Sequence, residues 1–373
     1  MNGKARIALV GVFAALLAGG IWKSMSEKEA DSQGAAASVS GAVTPAGLTK
    51  VNLLTGSAKF SFLKDPKLTE ILAKEGLEVV PSKSGAFAAD VQRSKEFDAV
   101  WPAGANAATD FASAWKTTNT YPVMSTPLAL ASWKPLLTMF EANGLAKTTG
   151  PTHGDFFLEK ALPLMIAGKR WNQFKDNTVF DVNKGFLVNT PDIRKSNTGV
   201  LYISGLAYIL NKNEVPTDVA AGEALADKLS SLITRQGFQE GTLAGPFEDY
   251  IGQGMGKAPL VLIYESQFVE AKRDGKLRDS HILLYPQPGL VLKHVVVART
   301  DAGKKLGEIL STNTEVQKIA AQYGFRTNSP AVFAESMKAL GLDAPELINF
   351  ADAPSTLVLD AMTQTLVKKL EGN

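Results

Sequence analysis

From Val51 onward, short apolar runs alternate with longer stretches whose apolar residues recur at three- and four-residue spacing. The first form suits buried strands and the second amphipathic helices. Val51-Asn-Leu-Leu-Thr-Gly-Ser57 reads as a strand running into a turn. Asp65 and Pro66 then supply an N-cap and a first-turn proline, and Leu68, Ile71 and Leu72 form one apolar face that ends near Gly76. Leu77 to Val80 starts the next strand, Ser82 to Gly85 is its turn, and Phe87 to Val91 falls on a second helix. Phe97-Asp-Ala-Val-Trp-Pro102 makes a third strand, closed by Gly104 to Asn106 before further helical spacing. Strands that alternate with helices predict an α/β fold with parallel-rich sheets and helices on both faces.

Tyr121-Pro-Val-Met-Ser-Thr-Pro-Leu-Ala-Leu-Ala-Ser-Trp133 breaks this rhythm with a long extended run, which predicts a crossing into a second lobe. That lobe holds Phe186-Leu-Val-Asn-Thr-Pro-Asp192, a long apolar helix from about Val200 to Leu210, and a buried strand from Leu260 to Tyr264. His281-Ile-Leu-Leu-Tyr-Pro-Gln-Pro-Gly289 carries the chain back, and Val295-Val-Val-Ala298 begins a returning strand. Lobe 1 is therefore assigned to residues 48–128 plus 288–373, and lobe 2 to residues 129–287. Ser24 to Gly47 is rich in Ser, Ala, Gly, Glu and Lys with almost no large apolar residue, so residues 24–47 read as a flexible tether. Ahead of it, Lys4 and Arg6 precede the apolar run Ile7 to Trp22, an export signal or a short membrane anchor over residues 1–23. Its small-residue exit at Ala18-Gly-Gly20 runs into bulky Ile21 and Trp22, a poor cleavage site. The reading favours an uncleaved N-terminal hydrophobic helix, with the basic end cytoplasmic and the bulk of the chain on the periplasmic side.

Composition narrows the chemistry. The net charge is +2 over 373 residues, and Lys and Arg are scattered, so nothing calls for nucleic acid. Cysteine is absent, which excludes disulfides, thiolate metal sites, a cysteine nucleophile and a lipid-modified N-terminal cysteine. His153, His281 and His294 have no metal-pair spacing and read as surface or hydrogen-bonded histidines, so neither a metal nor a cofactor is expected. Gly252-Gln-Gly-Met-Gly-Lys257 lacks the spacing of a phosphate loop and precedes a strand where such a loop follows one; it reads as a helix-to-strand connection. No Gly-x-Ser-x-Gly elbow is present, and the chain is not read as an enzyme.

Candidate chemistry lies instead where strands end. Thr55-Gly-Ser57, Ser196-Asn-Thr-Gly199 and Tyr264-Glu265 each mark an apolar run giving way to small or polar residues and then to helical spacing. Strand ends of this kind line a crevice in an open α/β sheet. The same residues equally serve as N-caps and turn formers anywhere.

The order of these segments resembles that of the type II periplasmic solute-binding proteins of ATP-binding-cassette transporters. The resemblance rests on Leu54-Thr-Gly-Ser57, Ser125-Thr-Pro-Leu-Ala-Leu-Ala131, Asn189-Thr-Pro-Asp-Ile-Arg-Lys-Ser-Asn-Thr-Gly199 and Phe247-Glu-Asp-Tyr-Ile251. Val261-Leu-Ile-Tyr-Glu265, Tyr285-Pro286 and Gln322-Tyr-Gly-Phe-Arg-Thr327 complete it. Together they cover residues 50 to about 330. The resemblance implies a two-lobed clamp, working as a monomer, that captures a small ligand for an inner-membrane permease or another membrane partner. It further implies a ligand held at helix N-termini, where free N–H groups favour an anion. On this chain that points to Ser57, Ser84, Ser196, Asn197, Thr198 and Gly199, with an oxyanion as the expected ligand. Trp101 either walls the cleft or packs in the core, Asn106 flanks the same strand end, and Thr126 lies at the crossing. Tyr264 and Glu265 border the site; Glu265 can meet a protonated oxyanion or a cation, or pair with a nearby Lys or Arg. A cationic or neutral metabolite, and a sensor or scaffold not coupled to transport, are the alternatives.

Overall fold

The structure, a computed structural model, describes residues 47–84 and 87–372. The hydrophobic helix expected over residues 1–23 and almost all of the tether lie outside the described residues. Among the described residues no helix is long and apolar enough to cross a membrane.

In β1 (Thr49–Thr55) the residues Val51, Leu53 and Leu54 are buried, as a strand with a packed face requires. It pairs in parallel with β2 (Leu77–Lys83) on one side and β3 (Ala99–Trp101) on the other. The connecting helix Pro66–Lys74 begins where the Asp65 carboxylate accepts the N–H groups of Lys67 and Leu68, at 2.9 and 3.1 Å. Its Leu68 and Leu72 are buried against the sheet.

Two long strands join the halves. β4 (Thr120–Trp133) pairs through Thr120–Pro127 with β9 (Gly289–Ala298), and through Leu128–Trp133 with β7 (Val261–Tyr264) and β8 (His281–Gln287). The far half adds β5 (Ala146–Thr148) and β6 (His153–Phe157); β6 runs parallel to β8. Short β10 (Arg326–Thr327) joins Met124–Ser125 of β4, and β11 (Phe350–Ala351) joins the start of β9. The strand order is β2-β1-β3-β9-β4-β8-β6-β5.

The sheet is mixed, which corrects the parallel-rich expectation. β4 takes the chain out of the first half and β9 brings it back, so the two meet antiparallel, and β9 also lies antiparallel to β3. A parallel pair would need a helical crossover at that point.

Two cores result. Val51, Leu53, Phe62, Trp101, Val123, Leu306 and Leu310 belong to one. Leu130, Phe140, Phe156, Trp171, Ile203 and Leu262 belong to the other. The C-terminal helix Thr356–Leu370 departs from its assignment to the first lobe. It buries Val358, Met362 and Leu366 in the second core beside the helix Val219–Leu229. Gly222 makes this approach possible, since a Cβ there would sit 2.7 Å from Val358 Cγ1.

Candidate functional site

The carboxyl ends of β1 and β2 face the loop and helix start around Ser196 across a cleft of about 380 Å³. One wall is Gly56 to Lys59 with Lys83 and Ser84, and the other is Lys195, Ser196, Thr198, Thr242 and Tyr264.

The first wall follows from β1. After Thr55 the chain bends at Gly56 into the short 3-10 turn Ser57–Lys59 and directly into the helix Phe60–Leu63. The Thr55 hydroxyl donates to the Trp101 carbonyl at 3.0 Å, fixing the end of β1 to the end of β3. Ser84 is held there by its N–H, which donates to the Thr55 carbonyl at 2.9 Å. The Ser57 side chain engages no hydrogen-bond partner among the described residues.

The opposite wall is the start of the helix Asn197–Leu210. Ser196 is its N-cap residue, with extended φ −142° and ψ 119°, yet its hydroxyl makes no capping bond. Thr198 and Tyr264 share a buried hydrogen bond of 2.9 Å, and burial raises the Tyr264 phenol above its ordinary value. Gly199 sits against the loop before the helix: a Cβ there would lie 2.9 Å from Ile193 Cγ2 and 3.1 Å from the Pro191 carbonyl. Asp192 organises that loop by accepting from Arg194, with Nη2 to Oδ2 at 2.7 Å, which lowers the Asp192 carboxyl.

Of the residues singled out in the sequence, Ser57, Ser84, Ser196, Thr198 and Tyr264 therefore share one cleft. Asn197 belongs to the same helix start. The others lie elsewhere. Trp101 is fully buried in the first core, edge-on to Phe62 at 6.2 Å between ring centroids. Asn106 donates to the Ala353 and Pro354 carbonyls at 3.0 and 2.8 Å, pinning the approach to the C-terminal helix. Thr126 is fully buried on β4, its hydroxyl a long 3.5 Å from the Ser266 N–H.

Glu265 is fully engaged within the protein. Its carboxylate takes Arg326 Nε and Nη2, both at 2.7 Å, and the Tyr285 hydroxyl, while Arg326 Nη1 donates to the Pro345 carbonyl at 2.9 Å. This removes it from ligand contact and makes it a buried brace between the helix Glu265–Arg273, β8 and β10.

Sequence reasoning missed the cations. Lys59, Lys83 and Lys195 all line the cleft. The two carboxylates at its border have arginine neighbours: Asp90 lies 3.0 Å from Arg93, and Glu270 3.6 Å from Arg273, which also holds Asp274 at 3.0 Å. Among the described residues none of the three lysines forms an ion pair. Lys59 is fully buried, and its ammonium lies 3.1 Å from His294 Nδ1 and 5.4 Å from the centroid of the Trp101 ring. A readable signal existed: Lys59 stands three and four positions before Phe62 and Leu63, on the face of a turn that must be buried.

No protein-family profile and no curated protein matches the sequence. Solved structures do match in shape. The chain has the fold of a type II periplasmic solute-binding protein, the two-lobed substrate-binding component of ATP-binding-cassette transporters. Iron-bound HitA from Pseudomonas aeruginosa superposes with a TM-score of 0.53 at 14% identity, covering 87% of this chain and 99% of that one. A Listeria monocytogenes protein described as a spermidine/putrescine ABC transporter gives 0.53 at 15% identity, covering 86% and 98%. An ABC transporter protein from Clostridium perfringens gives 0.50 at 11%, covering 86% and 98%.

Proposed function

We infer that the protein is an extracytoplasmic solute-binding protein that closes its two lobes on a small oxyanion and presents it to an inner-membrane transporter. The observation that carries this reading is the cleft's unbalanced charge and its uncommitted hydroxyls. Three lysines line it, its two bordering carboxylates have arginine partners, and the Ser57 and Ser196 hydroxyls satisfy no internal group. First-turn N–H groups of the helix Asn197–Leu210 add donors and a positive dipole end at one wall. Donors without acceptors suit an acceptor-rich, negatively charged ligand.

The fold does not choose the ligand, since its relatives are described with iron and with spermidine/putrescine. The charge of the cleft argues for the anion. A cationic ligand loses its main support, because the Glu265 carboxylate is occupied by Arg326 and Tyr285. The apolar run Ile7 to Trp22 supports a periplasmic location with a tether to the inner membrane.

Thermal-shift measurement on the purified protein with sulfate, molybdate, phosphate, putrescine, an amino acid and a sugar tests the reading. A ligand of the native clamp at a hundredfold excess over its Kd stabilises by about 2.7 kcal/mol. A shift with one of the oxyanions and none with putrescine is the expected result. The reverse pattern would end the oxyanion reading.

A further inference from the structure

Lys59 is the least expected residue of the cleft. A lysine that is fully buried normally has a carboxylate beside it. Here the only hydrogen-bond partner among the described residues is His294 Nδ1, which leaves the ammonium with unused donors. Two ring nitrogens of the neighbouring side chains, Trp101 Nε1 and His294 Nε2, are also buried without a partner among the described residues. The position is at the cleft and not deep in the core: Lys59 follows Ser57 in the same turn, and a Cβ on Gly56 would lie 3.8 Å from Lys59 Nζ. Gly56 and Lys59 both line the cleft.

We propose that Lys59 is the specificity-determining cation of the site, and that capture of an anion in the cleft is coupled to uptake of one proton by the Lys59–His294 pair. This rests on the oxyanion reading and deepens it.

The groups around the pair decide which way the proton moves. His294 comes from β9 and the Trp101 ring from β3. Lys83 ends β2, Asp90 lies on the helix Phe87–Arg93 and is matched by Arg93, and Lys195, Tyr264 and Glu270 stand at the opposite wall. Among the described residues no carboxylate offsets the cost of burying the ammonium, and burial lowers Lys59 from 10.5 to about 7. His294 is driven well below its ordinary value by burial and by Lys59. Near neutral pH the pair thus stands close to losing its last proton. An anion arriving beside Gly56 and Ser57 supplies the missing negative charge and draws the proton back.

Sulfate is the cleanest probe, because it stays fully ionised near neutral pH and brings no titration of its own. Calorimetric titrations of the full-length protein at several pH values, in two buffers of different ionisation enthalpy, read affinity and proton uptake together. Below about pH 7 the affinity is flat, and above it each unit of pH weakens binding by up to about tenfold, with up to one proton taken up. In Lys59→Met the slope and the proton uptake vanish, and binding at the acidic end is weaker by about tenfold or more. If Lys59→Met does not fold, the pH slope and proton count of the parent decide alone. Sulfate binding that is pH-independent without proton uptake, or equal affinity in Lys59→Met, overturns this inference and leaves the oxyanion reading intact. Failure of sulfate, molybdate and phosphate alike to bind the parent overturns both.

Discussion

Ser57 and Ser196 are the residues on which the proposed chemistry turns, and removing either hydroxyl should leave the fold undisturbed. Neither hydroxyl caps a helix or fills a core. Replacing either with Ala should weaken oxyanion binding by about 10- to 150-fold, the equivalent of about 1.5 to 3 kcal/mol for a hydrogen bond to a charged ligand. Thermal unfolding of the ligand-free variants should match the parent. Equal affinity in both variants would mean that the ligand sits elsewhere. Lys59 makes a different prediction, on stability. In the unfolded chain its amine holds a proton up to 10.5, but in the folded protein only up to about 7. Between those values the unfolded state binds more protons, so this residue's contribution to stability rises with pH across the window. Denaturant melts of the ligand-free protein at pH 7 and pH 9 should show that rise, and Lys59→Met should reduce it. A slope identical in the two proteins would count against the depressed amine.

At the scale of elements, the start of the helix Asn197–Leu210 and the Glu265 brace hold the site in place. Gly199 has no room for a side chain beside Ile193 and the Pro191 carbonyl, so Gly199→Ala must push back the loop that carries Lys195 and Ser196. The expected cost is about 1 to 3 kcal/mol of stability by denaturant unfolding, with weaker ligand binding as well. Glu265 and Arg326 are both largely buried, with side-chain exposures of 2% and 17%, so removing one partner strands a charge. Glu265→Ala should cost about 3 to 5 kcal/mol. A variant that unfolds like the parent would show that the pair adds nothing to the brace between β10 and the helix Glu265–Arg273.

For the whole molecule, the decisive feature is that β4, among the described strands, pairs in both halves of the sheet, while β9 returns the chain to the first half from the end of β8. Bending at such strands lets two walls that each carry donors approach a ligand between them. Small-angle scattering should therefore give a smaller radius of gyration when the bound oxyanion is added. An unchanged profile at saturation would describe a rigid, preclosed receptor. The N-terminal segment carries its own test: with Lys4 and Arg6 before Ile7 to Trp22, the protein should fractionate with membranes and retain Met1. A soluble mature form beginning near Trp22 would show an ordinary cleaved signal.

The strands, the helix starts and the strand-end turns could be read from the sequence because each is written locally. Asp65-Pro66 fixes a helix start by hydrogen bonds to residues two and three positions away, and Leu68 and Leu72 share a face by backbone geometry alone. Ser57, Ser84, Ser196 and Thr198 were visible for the same reason, as small residues ending apolar runs. The partners of the charged groups were not visible. Lys59 meets His294 across 235 positions, and Glu265 meets Arg326 across 61. The sequence reading begins the returning strand at Val295 and passes over Lys59; in the structure His294 lies on the inward face of β9 with Leu292 and Val296, and Lys59 is buried just before Phe62 and Leu63. Only the packing of β9 against β3 and of the Ser57 turn onto both brought the two together and removed water from them. Periodicity tells which side chains are buried; which of them are buried together, and so which charges find a partner within the protein, is settled by the tertiary structure.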